Sequence, residues 1–454
     1  MRNKAMFFIL ILITILTGCS STKDNVTQNK DTVRDNVSIE DEGDIVDNVV
    51  KIELSNNKIF VNNEEVTENA ENPIYKANDV IFYLEDQGIE YGEGVKFDEH
   101  SQIEANAHTV LHITEPGIYE VSGTMDAGQI FVDLGEEVEN DPSKVVKLIL
   151  NNVDITCTVA PAIFFCSVYE CAEKIEIENE NIPIMNIDTS AAGANIEIAD
   201  GSSNKIYGSY VANIFESCEL NEDGTEIVNS KTLHKYDGAI FSKDSINISG
   251  TGKLEVIAEN KGICSDMHMT ISGGNIKIKS NNDGINVNEE NISVFTMNDG
   301  ILDIQVSDKI GEGDGIDSNG QIIINGGTID VSACAISEES GLDSNNGVYI
   351  NGGTVLATGN VNPKIIEGKQ TSILFKNDET LEDGKKYRIK DIEEDIIMDI
   401  SPKNKFSTLI VSTENINVNE TYVLWLDDMQ LVEGVIFGAV DAGVDNNINI
   451  DVMH

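Results

Sequence analysis

Ile271-Ser-Gly-Gly-Asn-Ile276, Ile324-Asn-Gly-Gly-Thr-Ile329 and Ile350-Asn-Gly-Gly-Thr-Val355 repeat one short pattern, with looser copies at Ile248-Ser-Gly-Thr-Gly-Lys-Leu254 and Met297-Asn-Asp-Gly-Ile-Leu302. Gly274, Gly300, Gly327 and Gly353 recur every 26 or 27 residues. Between them runs a second signal: Asp237-Gly-Ala-Ile240, Asn282-Asp-Gly-Ile285, Asp314-Gly-Ile-Asp317 and Ser340-Gly-Leu-Asp343. A fixed period of this length marks a repeat array whose core grows along one axis. No stretch sustains a 3.6-residue apolar period, so helices are few. Each period holds three short strands bounded by Gly or Asn, too little chain for a four-stranded propeller blade and enough for one coil of a β-solenoid. The expected fold is all-β: a right-handed parallel β-helix (solenoid) with a small C-terminal antiparallel β domain.

Outward from the repeat, residues 101–360 form the expected solenoid. Its early coils are marked by Gly117-Ile-Tyr-Glu-Val-Ser-Gly123, Gln129-Ile-Phe-Val-Asp133, Val145-Val-Lys-Leu-Ile-Leu150, Ala162-Ile-Phe-Phe165, Lys174-Ile-Glu-Ile-Glu178 and Ala194-Asn-Ile-Glu-Ile198. Residues 49–100 are expected as an entry or cap segment over the open end of the core, with strands near Val50–Leu54, Lys58–Val61 and Asp79–Asp86. After Gly359 the glycine period stops. Ser372–Phe375, Lys386–Ile389, Ile396–Ile400, Thr408–Val411 and Thr421–Leu426 alternate apolar and polar, so residues 361–454 are expected as the antiparallel domain. The single tryptophan, Trp425, sits mid-strand among apolar neighbours and is expected in its core.

The N-terminus carries Arg2 and Lys4, then the apolar run Ala5–Leu16 and the tetrad Leu16-Thr-Gly-Cys19. Residues 1–18 have the layout of a secretory signal, too short for a spanning helix of roughly 20 residues. The tetrad is similar to the lipobox of bacterial lipoproteins, which implies lipidation of Cys19 and a place on the extracellular face of the cell membrane, with membrane contact only through that anchor. Residues 19–48 lack an apolar face and are expected as a disordered tether. Against 79 acidic residues stand 30 basic ones, a formal net charge of −49. Such a surface repels nucleic acid and attracts cations. The seven cysteines form no CxxC pair and are expected as free thiols, with a Cys166–Cys171 bond left open. A monomer is expected.

Stacking turns one acidic corner per coil into a column. Asp237, Asp283 and Asp314 are expected on one rung position, with Lys261 and Ser340 at the other coils. Asp317 and Asp343 share a second rung beside Asn286. Oxygens about 5 Å apart on adjacent coils suit a hard cation with six to eight oxygen ligands, and calcium fits. The expected ligands are Asp283, Asp314, Asp317, Glu339 and Asp343. For any one of them, capping of backbone N–H groups in turns is the other reading.

The repeats, together with Leu150-Asn-Asn-Val-Asp-Ile155 and Ala199-Asp-Gly-Ser-Ser-Asn204, resemble those of the clostridial carbohydrate-binding β-helix lipoproteins. The resemblance spans roughly Ser101 to Thr358 and implies a pectate-lyase-like fold that binds calcium and acidic plant or cell-wall polysaccharide such as polygalacturonate without cleaving it. Asn282, Lys261 and Ser340 depart from the family's acidic corner. Uronan cleavage would need a basic side chain on the solenoid. The three arginines, Arg2, Arg34 and Arg388, all lie outside it. Lys261 is the most suggestive lysine, but a solvent-facing lysine balancing nearby acids is the expected role. A non-catalytic binder is therefore expected, with a calcium-stiffened adhesive surface protein and a lyase as alternatives. Aromatic material in the repeat is sparse: Tyr236, Phe241, Phe295 and Tyr349.

Overall fold

The computed structural model describes residues 49–83, 87–92, 100–172, 187–366 and 368–439. The expected signal (1–18), Cys19, the tether (19–48) and the strand Lys174–Glu178 lie outside the described residues. Within them the chain is all-β, with Gln102–Asn106 the one α-helix among the described residues. It is capped by the Ser101 hydroxyl, which accepts from the Glu104 N–H.

Three strand ladders carry the body of the protein. Along the first, Ala194–Ile198, Ile246–Gly250, Met269–Ser280 and Val294–Val306 pair in parallel, one coil after another. Along the second, Ser203–Gly208, Lys253–Ala258, Met269–Ser280, Val294–Val306, Thr328–Ser332 and Thr354–Gly359 do the same. Met269–Ser280 and Val294–Val306 belong to both because each bends at a glycine. Gly274 and Gly300 stand at φ +93° and +99°, and Gly327 and Gly353 at +80° and +86°. This left-handed region is open to glycine at no steric cost. The 26-to-27-residue glycine period is thus the corner between two ladders.

The third ladder positions the site. It is a nine-stranded sheet in which Leu342–Ser344, Ile316–Ser318, Ile285–Val287, Lys261–Ser265, Gly238–Ser242, Ile163–Ser167, Gly128–Asp133 and Thr109–Ile113 run parallel. Ile74–Ala77 closes its edge antiparallel. Side chains alternate across a strand, so one residue per coil faces the core and its neighbours face away. The inward row is Leu111, Ile130, Ile163, Ile240, Ile263, Ile285, Ile316 and Leu342, all fully buried. A glycine precedes the isoleucine in the later coils for a spatial reason. A Cβ on Gly262 would lie 2.3 Å from the Gly284 carbonyl oxygen, and one on Gly284 would lie 2.6 Å from that of Gly315.

Three expectations change here. No strand forms over Asp79–Tyr83, the described part of the expected strand Asp79–Asp86; the strand lies earlier, at Ile74–Ala77. Val50–Leu54 pairs in parallel with Gly117–Met125, so the entry segment already contributes to a ladder. Val211–Leu220 and Ile227–Tyr236 form an antiparallel hairpin that interrupts the coil series, and nothing in the repeat pattern announced it. All six cysteines among the described residues are free.

At the other end, Phe406–Ser412 pairs antiparallel with both Thr354–Gly359 and Ser372–Leu381. Tyr387–Asp391, Ile396–Ile400, Tyr422–Leu426 and Met429–Glu433 make a four-stranded antiparallel sheet. These strands enclose a core of their own around Phe375, Tyr387, Phe406, Tyr422 and Leu424. Trp425, expected in that core, is instead half-buried outside it, with Lys390 Nζ 4.1 Å from its ring centroid.

Gly284→Ala should lower stability by about 1–3 kcal/mol through forced separation of adjacent coils. Lys277→Ala, at an exposed position of the same coil, should stay within about 0.5 kcal/mol. Denaturant unfolding of the two variants beside the parent measures the difference.

Candidate metal centre

The site grows from one residue position in the third ladder. Counting outward from the buried isoleucines, the next residue of each coil is Phe131, Phe164, Phe241, Cys264, Asn286, Asp317 and Asp343, each paired with the one before. The row therefore begins aromatic and ends acidic. Asp317 pairs with Asp343 and Asn286 with Asp317, as expected from the sequence.

Asp314, on the same coil as Asp317, completes a group. Asp314, Asp317 and Asp343 each offer a carboxylate oxygen within 4.8 Å of the others. Glu339, also expected as a ligand, is not one of the three, but it lies near enough for its charge to raise the Asp314 carboxyl. Asp283 stands one coil back. Its Oδ1 accepts from the Asp314 backbone N–H at 2.9 Å, and Asp314 Oδ1 in turn accepts from the Ser340 N–H at 2.6 Å. Asp283 and Asp314 thus each cap the following coil, and Asp314 also faces two further carboxylates.

The expected rung is not uniform. Gly238, not Asp237, pairs with Lys261, so Asp237 is offset by one residue from the position expected for it. Lys261 also departs from expectation. Its side chain is only 14% exposed, with Nζ 3.3 Å from Asp237 Oδ2 and 3.2 Å from Asp283 Oδ2. Burial by itself pulls the ammonium's pKa down, but the two carboxylates more than offset this and hold it above the usual lysine range. Asp283 is thereby engaged with Lys261 instead of with the acidic trio.

No such cation neutralises the trio: among the described residues, no lysine or arginine forms an ion pair with Asp314, Asp317 or Asp343. Burial, then the nearby Asp283, pushes Asp317 up to about 7. The same two causes, in the same order, raise Asp314 well above the carboxylate range, and burial raises Asp343 and Glu339. Asn286 donates from Nδ2 to Asp317 Oδ2, while its buried Oδ1 has no hydrogen-bond partner. Three close carboxylates are the kind of oxygen donors a hard divalent cation takes. The residues fit such an ion.

Sequence reasoning missed the aromatic half of the row. Tyr75 stacks on His112 with centroids 4.4 Å apart, and His112, Phe131, Phe164 and Phe241 follow edge to face. The signal was present as Gln129-Ile-Phe, Ala162-Ile-Phe and Ala239-Ile-Phe, equivalents of Gly315-Ile-Asp.

Comparison with known proteins places the chain in a family. The model for "Carbohydrate-binding domain-containing protein" matches residues 107–182 and 171–373, more than half of the chain, and the chain belongs to that family. A protein of Acetivibrio thermocellus with the same description is 33% identical over 171 residues, covering 37% of this chain and 45% of that relative. The chain thus matches less than half the length of that curated relative. No solved structure matches.

The raised carboxyls set a pH dependence. In metal-free protein they hold protons that the unfolded chain releases near pH 4, so their contribution to stability is full below that value and falls as pH rises through about 7 and beyond. Thermal unfolding in chelator should show a midpoint that drops between about pH 5 and about pH 9. Asp317→Asn should flatten the drop.

Proposed function

We propose that this family member is a non-catalytic binder of acidic polysaccharide that holds uronate carboxylates through calcium at Asp314, Asp317 and Asp343. The observation that carries the reading is the approach of three carboxylates from two adjacent coils to within 4.8 Å with no paired cation. In this reading Glu339 and the Asn286 amide oxygen complete the ligand set, and Asp283 supports it through its bond to the Asp314 N–H. When bound, the ion supplies a positive point to which a glycan carboxylate can coordinate alongside protein oxygens. That solves the recognition problem of a chain with net charge −49, which would otherwise repel an acidic ligand.

The rest of the proposal concerns the scaffold and its place. The three ladders are taken to wind as a right-handed parallel β-helix, the hand that parallel crossovers favour. The chain is taken to be exported and anchored by a lipid on Cys19 at the extracellular face of the membrane, as the tetrad Leu16-Thr-Gly-Cys19 suggests. The resemblance to polygalacturonate-binding lipoproteins supports pectin-type glycan as the ligand.

The environment of Lys261 favours binding over cleavage. A β-eliminating lyase needs a base that can accept a proton near the bound uronate. Lys261, held as an ammonium between Asp237 and Asp283, is a poor candidate. An absorbance rise from unsaturated uronate product would overturn the non-catalytic reading.

Polygalacturonate should bind in calcium and be released by chelator, as read on immobilised glycan. Asp343→Asn and Asp317→Asn should each weaken calcium binding by about tenfold or more in calorimetry. Unchanged glycan binding in chelator would remove the calcium bridge. Chelator-sensitive stability without glycan binding would instead select an adhesive surface protein stiffened by calcium.

A further inference from the structure

At the aromatic end of the row that carries Asp317 and Asp343, a pocket of about 150 Å³ opens between the ladder and the hairpin Val211–Leu220/Ile227–Tyr236. Phe131, Phe164 and Tyr236 are its aromatic walls, with His112 and Asp79 among the lining residues. Phe164 and Tyr236 are buried against each other with centroids 4.5 Å apart. Phe131 alone of the three keeps partial exposure. His112 is fixed by Tyr75 stacked on its ring and by a 2.9 Å contact from Nε2 to Asp79 Oδ1. Asp79 is half exposed, which leaves its other oxygen free to accept from a hydroxyl.

We infer that this pocket is a second glycan subsite, independent of metal, that takes one neutral sugar ring. The inference rests on the reading that the chain binds polysaccharide. Three observations select the ligand. The volume corresponds to roughly five water molecules at about 30 Å³ each, which suits a single ring and not a stacked pair. An aromatic wall beside one oriented carboxylate matches the two faces of a pyranose: C–H groups lie against Phe131 and a hydroxyl donates to Asp79. Among the described residues no lysine or arginine lines the pocket, so a uronate would meet Asp79 with nothing there to offset the repulsion. The acidic end of the row carries the opposite preference. Phe131 and Asp317 stand five strand steps apart, about 24 Å at about 4.8 Å per step. A heteroglycan with uronate and neutral residues could reach both ends, whereas a pure polyuronate would occupy only the metal end.

The test is calorimetry of the full chain against cellotetraose, xylotetraose, β-1,4-galactotetraose and arabinotetraose in chelator, with oligogalacturonate in calcium run alongside. At least one neutral tetrasaccharide should bind in chelator. Phe131→Ala should weaken it roughly tenfold, and Asp79→Asn, at an exposed position, should weaken it too. Phe131→Leu guards against a folding defect, since it keeps apolar volume while removing the aromatic face; it should also weaken binding, with an unchanged circular dichroism spectrum. Absence of neutral-sugar binding beside intact calcium-dependent oligogalacturonate binding would overturn this subsite and leave the metal reading standing. Neutral binding indifferent to Phe131 and Asp79 would also overturn it. Neutral binding lost in these variants while oligogalacturonate fails to bind in calcium would leave this subsite and remove the metal reading. Failure of both ligands would remove both.

Discussion

Everything in the body of this protein follows from in-register parallel pairing between successive coils. Ile263, Ile285, Ile316 and Leu342 are direct partners along one ladder. Adjacent strands lie about 4.8 Å apart, so whatever one coil carries at a position is repeated at that spacing by the next. For isoleucine this produces a continuous dry core. For aspartate it produces like charges at a distance where their repulsion is felt. The chain meets that cost in two ways. Upstream, Lys261 is inserted between Asp237 and Asp283 as a buried counter-ion. Downstream, no lysine or arginine among the described residues pairs with Asp314, Asp317 or Asp343, and burial, with the neighbouring acids, raises their proton affinity.

The close approach has a steric side as well. Gly262, Gly284 and Gly315 each stand against the carbonyl of the following coil, where no Cβ fits. The backbone there is held so that N–H groups of one coil meet carbonyls of the next, as in Gly284 to Asp314 and Gly315 to Ser340. A rigid backbone fixes the carboxylate spacing that a metal needs. The same ladder carries aromatic rings at Phe131, Phe164 and Phe241, so one scaffold position supports two chemistries along its length. Tyr236, which ends the hairpin, packs on Phe164 and Phe241 at the aromatic end of that row.

Much of this was legible in the chain. Gly274, Gly300, Gly327 and Gly353 announced the corners because a positive φ admits few residues but glycine. The pairing of Asp317 with Asp343 followed from counting between repeats. The failures are equally specific. Asp237 was placed one residue off because Asp237-Gly-Ala-Ile240 carries one residue more before its core isoleucine than Asp283-Gly-Ile285 does. Lys261 was taken for a surface lysine, since a count of neighbouring acids does not reveal how many of them converge on one buried Nζ. Phe131 and Phe164 escaped notice because they lie before the conspicuous repeat, where the glycine corner is degenerate.

The sequence by itself determined the strand periodicity, the inward isoleucine row and the rung that Asp317 and Asp343 share, because these depend on local chain geometry repeated at a fixed interval. Only the tertiary structure decided which acids are neutralised and which are left facing one another. Charge balance depends on side chains meeting across coils, as Lys261 meets Asp237 and Asp283 while Asp314 and Asp317 meet Asp343. It likewise decided that an aromatic pocket lies on the acidic row, since the hairpin that walls it returns to the ladder through contacts that no period encodes.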